Sequence, residues 1–191
     1  MSRGQLLMST LLAAAMLLMP MRMPAADGSG AFTVTQISTE KGDEAYLLNA
    51  RMDINLNNGP KEALENGIPL VFDLHIQTLE KHEWFWDSVI AEYKQVRQVQ
   101  WHPLSRSYLV KDLESGAQRS YLKLDDALQA AGFVHNFPVL DYGQMKDGQK
   151  YAVRLRGNLD IEALPTPVRL LAYVSSAWDM DSEWYQWPMT R

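Results

Sequence analysis

Histidine, serine and carboxylate side chains are the groups through which this sequence could bind a metal or perform catalysis, because it contains no cysteine. A transition-metal site needs such ligands one helical turn apart, or two residues apart on a strand face, with a further ligand nearby. Asp73 and His75 share one face of a predicted strand, but neither H-x-H nor H-E-x-x-H occurs. We therefore predict no metal site and no cofactor.

The sequence offers no recognisable catalytic nucleophile. A serine hydrolase of the G-x-S-x-G type places its serine at a strained strand-to-helix turn, whereas the only Gly-flanked serine here, Ser29, lies in a Gly/Ser-rich lead-in. A pair of carboxylates for glycoside hydrolysis is defined by its spacing in the folded structure rather than in the sequence, so the sequence does not exclude such a pair. The available acids include Asp87, Asp141, Asp160 and Glu183. We predict a protein that is not an enzyme, with an envelope hydrolase kept as an alternative.

Aromatic side chains are the sharpest feature of the sequence. Trp84-Phe85-Trp86 forms a dense patch, and Trp178, Trp184 and Trp187 lie near the end of the chain. Large aromatics dominate the hot spots of protein interfaces and can stack on sugars, but they also fill cores. Burial in the core, a protein interface and a glycan platform therefore remain three interpretations of the same residues.

A second candidate contact lies at the corner that follows Trp101. His102-Pro103-Leu104-Ser105-Arg106 is a turn with a cationic tip, and loops carry binding residues more often than strands do. We predict a surface that binds a partner protein. Its predicted residues are Trp84, Trp86, Asp87, His102 and Arg106.

The first 26 residues differ from the rest of the chain. They hold six of the ten methionines, two arginines and no acid, and residues 6–19 form an apolar run broken only by Ser9 and Thr10. This order is typical of a secretory signal peptide, with an uncleaved anchor as the alternative. Its loss changes the formal net charge from −5 to −7, since Arg3 and Arg22 leave. We expect an exported, periplasmic protein with no stable membrane span after leader removal and no affinity for nucleic acid.

Residues 27–191 predict one mainly β domain. Apolar and polar residues alternate in residues 46–56, 70–77 and 151–161, which is typical of half-buried antiparallel strands. Further strands are expected at residues 31–38, 89–101, 108–110, 120–122, 168–174 and 184–187. Two short helices are expected at residues 61–66 and 124–131. The pattern favours an antiparallel β-sandwich, immunoglobulin-like in general architecture, over a partly closed barrel.

Several segments, in this order, resemble a family of bacterial envelope proteins catalogued as domain of unknown function 4390. The segments are Ala63-Leu64-Glu65-Asn66-Gly67-Ile68-Pro69-Leu70, Trp84-Phe85-Trp86-Asp87, Trp101-His102-Pro103-Leu104-Ser105-Arg106-Ser107-Tyr108, Leu164-Pro165-Thr166-Pro167, and Trp178 with Ser182 and Trp184. Phe85, Trp101 and Pro103 depart from the family pattern. The resemblance implies an exported protein of unknown activity and, because family members are often encoded beside a membrane sensor kinase, a partner of that kind.

These observations together predict an exported, non-enzymatic envelope protein that binds another protein or serves as a signalling accessory. A module that binds glycan or cell-wall material is the alternative.

Overall fold

The computed structural model describes residues 31–189, so the predicted leader and domain start at residues 1–30 lie outside the described residues. Nine strands make up most of the described chain. They are β1 (Ala31–Lys41), β2 (Ala45–Asn55), β3 (Leu70–Lys81), β4 (Ser88–His102), β5 (Ser107–Asp112), β6 (Gln118–Tyr121), β7 (Phe133–Asp141), β8 (Lys150–Leu159) and β9 (Tyr185–Met189). The helices are α1 (Asn58–Glu65), α2 (Leu124–Ala131) and α3 (Thr166–Val174).

The strands form two antiparallel sheets that face one another. The small sheet has the order β1-β2-β7, and the large sheet has the order β6-β5-β4-β3-β8-β9. Phe32 of the small sheet meets Phe72 of the large sheet edge to face, with 5.9 Å between ring centroids. The prediction of a mainly β, antiparallel sandwich is confirmed, and within residues 31–189 no strand pairing closes the two sheets into a barrel.

The alternating strands place their apolar residues between the sheets, as the sequence pattern predicts. Leu48, Met52 and Ile54 of β2 are buried, and they pack with Phe72, Leu74, Ile76, Val153 and Leu155 of the large sheet. Gly157 allows the two sheets to approach closely. A Cβ at this position would lie 2.5 Å from Phe32 Cδ1 and 2.6 Å from Met52 Sδ.

The central strand β3 is more buried than its alternation predicts. Its outer-face residues Asp73 and Gln77 are buried, although a half-buried strand would expose them. The cause is the long side chains of the neighbouring strands. Lys94 of β4 bonds the Asp73 carboxylate, and Arg154 of β8 donates from Nε to Gln77 Oε1 at 2.7 Å.

The strand predicted at residues 168–174 is wrong, because this segment is the helix α3. Pro167 lies in its first turn, where a fixed φ favours a helix start, and Ala172 with the half-buried Val168 supplies inward contacts one turn apart. The described chain therefore has three α-helices rather than the predicted two. β7 has no counterpart among the predicted strands, because Asn136, with a φ of 49°, and Pro138 interrupt its apolar pattern.

Candidate functional site

An exposed aromatic loop connects β3 to β4. Its side chains Trp84, Phe85 and Trp86 are 88%, 83% and 94% exposed, more than nearly every other large apolar side chain of the described chain. The segment is bent rather than extended, so an alternation of side chains along a strand does not describe it. We call Trp84, Phe85 and Trp86 the aromatic loop.

Polar contacts across the base hold the ends of the loop together. Lys81 Nζ lies 2.6 Å from Asp87 Oδ2, and a hydrogen bond of 3.1 Å joins His82 Nε2 to Ser88 Oγ. Gln149 donates from Nε2 to the Lys81 carbonyl oxygen at 2.6 Å. The Asp87 carboxylate pairs with Lys81 and so helps to position the loop, while its predicted contact with a partner stays a prediction.

The charged side chains around the loop form ion pairs of opposite sign. Lys150 Nζ lies 3.9 Å from Glu83 Oε1, and Lys146 Nζ bonds both carboxylate oxygens of Glu80 at 3.0 and 3.1 Å. The hydrogen bond and the charge of Glu80 raise the pKa of Lys146. The aromatic surface is therefore bordered by ion pairs rather than by excess charge of one sign.

The remaining tryptophans have different surroundings. Trp178 is buried, so the interpretation of the tryptophans as core residues is right for Trp178. The same interpretation is wrong for Trp84 and Trp86, which are exposed. Trp101 packs against Tyr108, with 4.7 Å between centroids. Trp184 is half-buried beneath two cations, Arg154 and Arg156, whose guanidinium carbons lie 4.5 and 5.0 Å from the ring centroid.

His102 and Arg106 lie far from the aromatic loop. β4 begins at Ser88, beside the loop, and ends at His102 after 15 residues, which is about 45 Å of extended strand. Arg106 is exposed in the following turn with a φ of 47°. The structure thus divides the predicted contact surface: Trp84, Trp86 and Asp87 lie at one end of the molecule, and His102 with Arg106 lies at the other.

Two serine–histidine contacts occur, one at each end. His82 meets Ser88, and His102 Nδ1 lies 3.1 Å from Ser105 Oγ. Ser–His catalysis also needs a group that orients the imidazole, usually a carboxylate, and in the described part of the chain neither imidazole has a carboxylate partner. No cluster of three or more histidines and acids able to hold a metal is found within residues 31–189.

Sequence reasoning missed a set of buried polar atoms on the outer face of the large sheet. Asp73 Oδ1, Arg156 Nε and Asn158 Oδ1 are buried without a hydrogen-bond partner. Asp73 pairs directly with Asn158 across β3 and β8, and Arg156 occupies the next outward position. The alternation predicts that these side chains face outward, but only the packing of neighbouring strands shows them to be covered.

Comparison with known proteins gives one match. A family model described as Domain of unknown function (DUF4390) matches residues 29–188. No curated protein and no solved structure matches the chain. Among the described helices, none has the length and apolar character needed to cross a membrane.

Proposed function

The chain belongs to the family described as Domain of unknown function (DUF4390), and we propose that it is an exported, non-enzymatic envelope protein that binds a partner protein through its aromatic loop. The family description names no activity, so the proposal rests on the residues of this chain. A membrane sensor kinase is the kind of partner that the family resemblance suggests.

The observation that carries the proposal is the exposure of three consecutive aromatic side chains. An aromatic residue buries about 150–250 Å² when it is covered, and Trp is enriched among the residues that dominate binding energy at interfaces. The loop leaves nearly all of this surface in water. A partner that covers it gains apolar burial, while the ion pairs beside it supply a polar rim.

The contacts at the base of the loop support the same function. A loop held by Lys81–Asp87 and His82–Ser88 loses less conformational freedom on binding than an untethered loop does. Preorganisation of this kind favours affinity and does not require an induced fold.

The localisation part of the proposal rests on residues 1–26, whose cationic start and apolar run are typical of a secretory leader. An uncleaved anchor would place the domain in the same compartment. The absence of cysteine means that the fold is independent of disulfides there.

Co-purification from envelope extract tests the proposal. The full chain, with an epitope tag in the exposed turn at Ser115, is compared with the Trp84→Ala/Trp86→Ala variant and with Leu122→Ala, which removes another exposed apolar side chain. We expect the same protein to be recovered with the parent chain and the Leu122 control, and to be lost with the double variant. Equal recovery with all three chains would refute the assigned contact.

A glycan-binding module is the second candidate, and the outer face of the large sheet favours it. Trp184 is half-buried on this face beside the guanidinium groups of Arg154 and Arg156, and an aromatic ring flanked by hydrogen-bond donors can stack on a sugar and bond its hydroxyls. Quenching of tryptophan fluorescence by cell-wall fragments, retained in Trp84→Ala/Trp86→Ala and lost in Trp184→Phe, would support this candidate. A flat titration would remove it.

A further inference from the structure

The helix α3 carries an apolar face that nothing covers within the described structure. At about 100° per residue, Pro167, Leu170, Leu171 and Val174 lie within about 100° of arc on its outer side. Leu170, Leu171 and Val174 are 62%, 64% and 83% exposed. The opposite side carries the buried Ala172 and the half-buried Val168, which face the domain.

No charged residue interrupts this face. Arg169 lies on the inner side, where Nε and Nη2 donate to the Leu164 carbonyl oxygen at 3.1 and 2.8 Å. Tyr173 borders the face, and its hydroxyl donates to Glu162 Oε1. A helix that packs on its domain by one side and exposes a continuous aliphatic stripe with a tyrosine at its border on the other can lie on a membrane interface.

The position of α3 in the fold points to what covers it. The turn at Ser176–Trp178 follows α3 and contacts the segment after β2: Asn57 Nδ2 donates to the Ala177 carbonyl oxygen at 2.9 Å. β1 starts beside the end of β2, since Ala31 pairs with Asn55. The described chain therefore begins at the end of the sandwich that carries α3, opposite the aromatic loop.

This position limits the distance to a membrane-inserted leader. Residues 27–30 connect the predicted leader to β1, and four extended residues span at most about 14 Å. While residues 1–26 are in the membrane, during export or as an anchor, the start of β1 lies within that distance of the lipid surface, so the end of the domain that carries α3 faces the membrane.

We propose that the outer face of α3 rests on the lipid surface of the membrane through which the chain is exported. The inference rests on the proposed export and is independent of the protein partner. Leu and Val are under-represented among hot spots of protein interfaces, whereas they are the residues that an apolar lipid boundary favours. The aromatic loop, at the other end, then points away from this membrane.

The acids near α3 define the kind of lipid surface. A groove of about 580 Å³ beside the helix is lined by Asp160, Glu162, Asp179 and Asp181. Arg169, 3.7 Å from Glu162, balances one of these charges. The contact is therefore with zwitterionic headgroups, because an anionic surface would repel the groove.

Because the chain has no cysteine, single labels can report this contact. An environment-sensitive fluorophore is attached in the full chain to Leu171→Cys, to Glu65→Cys on the exposed side of α1 at the same end, or to Phe85→Cys in the aromatic loop. Phosphatidylcholine vesicles are then added, and emission wavelength and quenching by aqueous iodide are measured. We expect a blue shift and protection from iodide at position 171, with neither change at positions 65 and 85.

Vesicle flotation of Leu170→Asp/Leu171→Asp gives a second measurement. Both side chains are exposed, so the fold is retained, and the partition coefficient is expected to fall at least about tenfold, because an apolar interface excludes the new charges. An unchanged partition coefficient would overturn the proposal. So would an unresponsive label at position 171, equal responses at 171 and 65, or a response at 85 as large as that at 171. A response at position 85 as large as that at 171 would also assign the lipid contact to the aromatic loop. The other outcomes would not affect the proposal that the aromatic loop binds a partner protein.

Discussion

At the scale of single residues, the aromatic loop depends on side chains that do not themselves face a partner. Lys81 and Asp87 form an ion pair of 2.6 Å at its base, and both side chains are partly exposed. An exposed ion pair contributes only about 0–1 kcal/mol to folding. We therefore expect this pair to determine the conformation of the loop more than the stability of the domain.

Replacement of Asp87 by Asn tests that role. The variant removes the charge of the pair with little change in size, so the backbone NMR order parameters of residues 82–87 are expected to fall while those of β3 and β4 stay as before. The free energy of unfolding should fall by less than about 1 kcal/mol. Unchanged order parameters in the loop would show that the ion pair does not hold it.

The hairpin between β5 and β6 gives a prediction about pH. Partial burial opposes ionisation of Asp112, but hydrogen bonds from the Ser115 and Glu114 amides and the charge of Arg97 outweigh it and lower the pKa of the carboxyl below its ordinary value of 3.8. The ionised form therefore stabilises the fold above about pH 3.8, and this contribution is lost as the pH falls through the lower folded-state pKa.

Thermal denaturation between pH 2 and pH 6 checks this sign for the parent chain and for Asp112→Asn, which cannot ionise. We expect the parent chain to lose its advantage over the variant as the pH falls. An advantage that grows toward low pH would contradict the assigned direction of the shift.

At the scale of elements, the contact between the two sheets depends on the absence of a side chain at Gly157. A methyl group there would overlap Phe32 and Met52 of the opposite sheet. Gly157→Ala should therefore lower the free energy of unfolding by about 1–3 kcal/mol through overpacking.

Gly143→Ala is the matched control for that substitution. No heavy atom lies within 4 Å of the Cβ it would add, and its φ lies outside the left-handed region that disfavours side chains. Chemical denaturation should show a change within about 0.5 kcal/mol. Equal effects at both positions would show that the sheets are not in close contact at Gly157.

The elements also show how far the sequence could predict the fold. α2 has the predicted bounds 124–131, because an i, i+3, i+4, i+7 apolar face between acidic residues and a glycine has one interpretation. The sequence predicts a strand where α3 lies, because the apolar residues of this segment face both the solvent and the core and therefore show no helical period. A short helix that is apolar on its exposed side has the same continuous apolar run in its sequence as a buried strand, and periodicity does not distinguish the two.

The candidate site shows the same limit. Composition and clustering identify Trp84 and Trp86, but their exposure depends on the loop geometry that the Lys81–Asp87 pair maintains. The sequence alone does not separate His102 and Arg106 from the aromatic loop, because sequence separation carries no information on the direction of β4. Only the strand length places them at the other end.

At the scale of the whole molecule, the two uncovered apolar surfaces lie at opposite ends of the sandwich. β3 starts near the α3 end and finishes at the aromatic loop, and its 12 residues span about 35 Å. A domain seated on lipid through α3 would present Trp84, Phe85 and Trp86 at that distance from the membrane. This arrangement relates the proposed partner contact to the proposed lipid contact without making either depend on the other.

Independence of the two ends is itself a prediction. Leu170→Asp/Leu171→Asp should lower binding to phosphatidylcholine vesicles that contain no protein and leave partner recovery unchanged, and Trp84→Ala/Trp86→Ala should do the reverse. Sites this far apart, with no shared contacts, are expected to act additively within about 0.5 kcal/mol. Flotation with protein-free vesicles and co-purification from envelope extract, each with the two variants and their combination, measure this. Loss of both functions in either double variant would indicate a single shared surface.

The central claim is that the aromatic loop contacts a partner protein, and site-specific photo-crosslinking in intact cells tests it most directly. A photoreactive phenylalanine analogue replaces Phe85 in the full chain, and the control places it at Leu104, which is 93% exposed at the other end of the molecule. We predict a discrete cross-linked protein from position 85 and none from position 104. No protein adduct at position 85, or the same adducts from both positions, would contradict the claim.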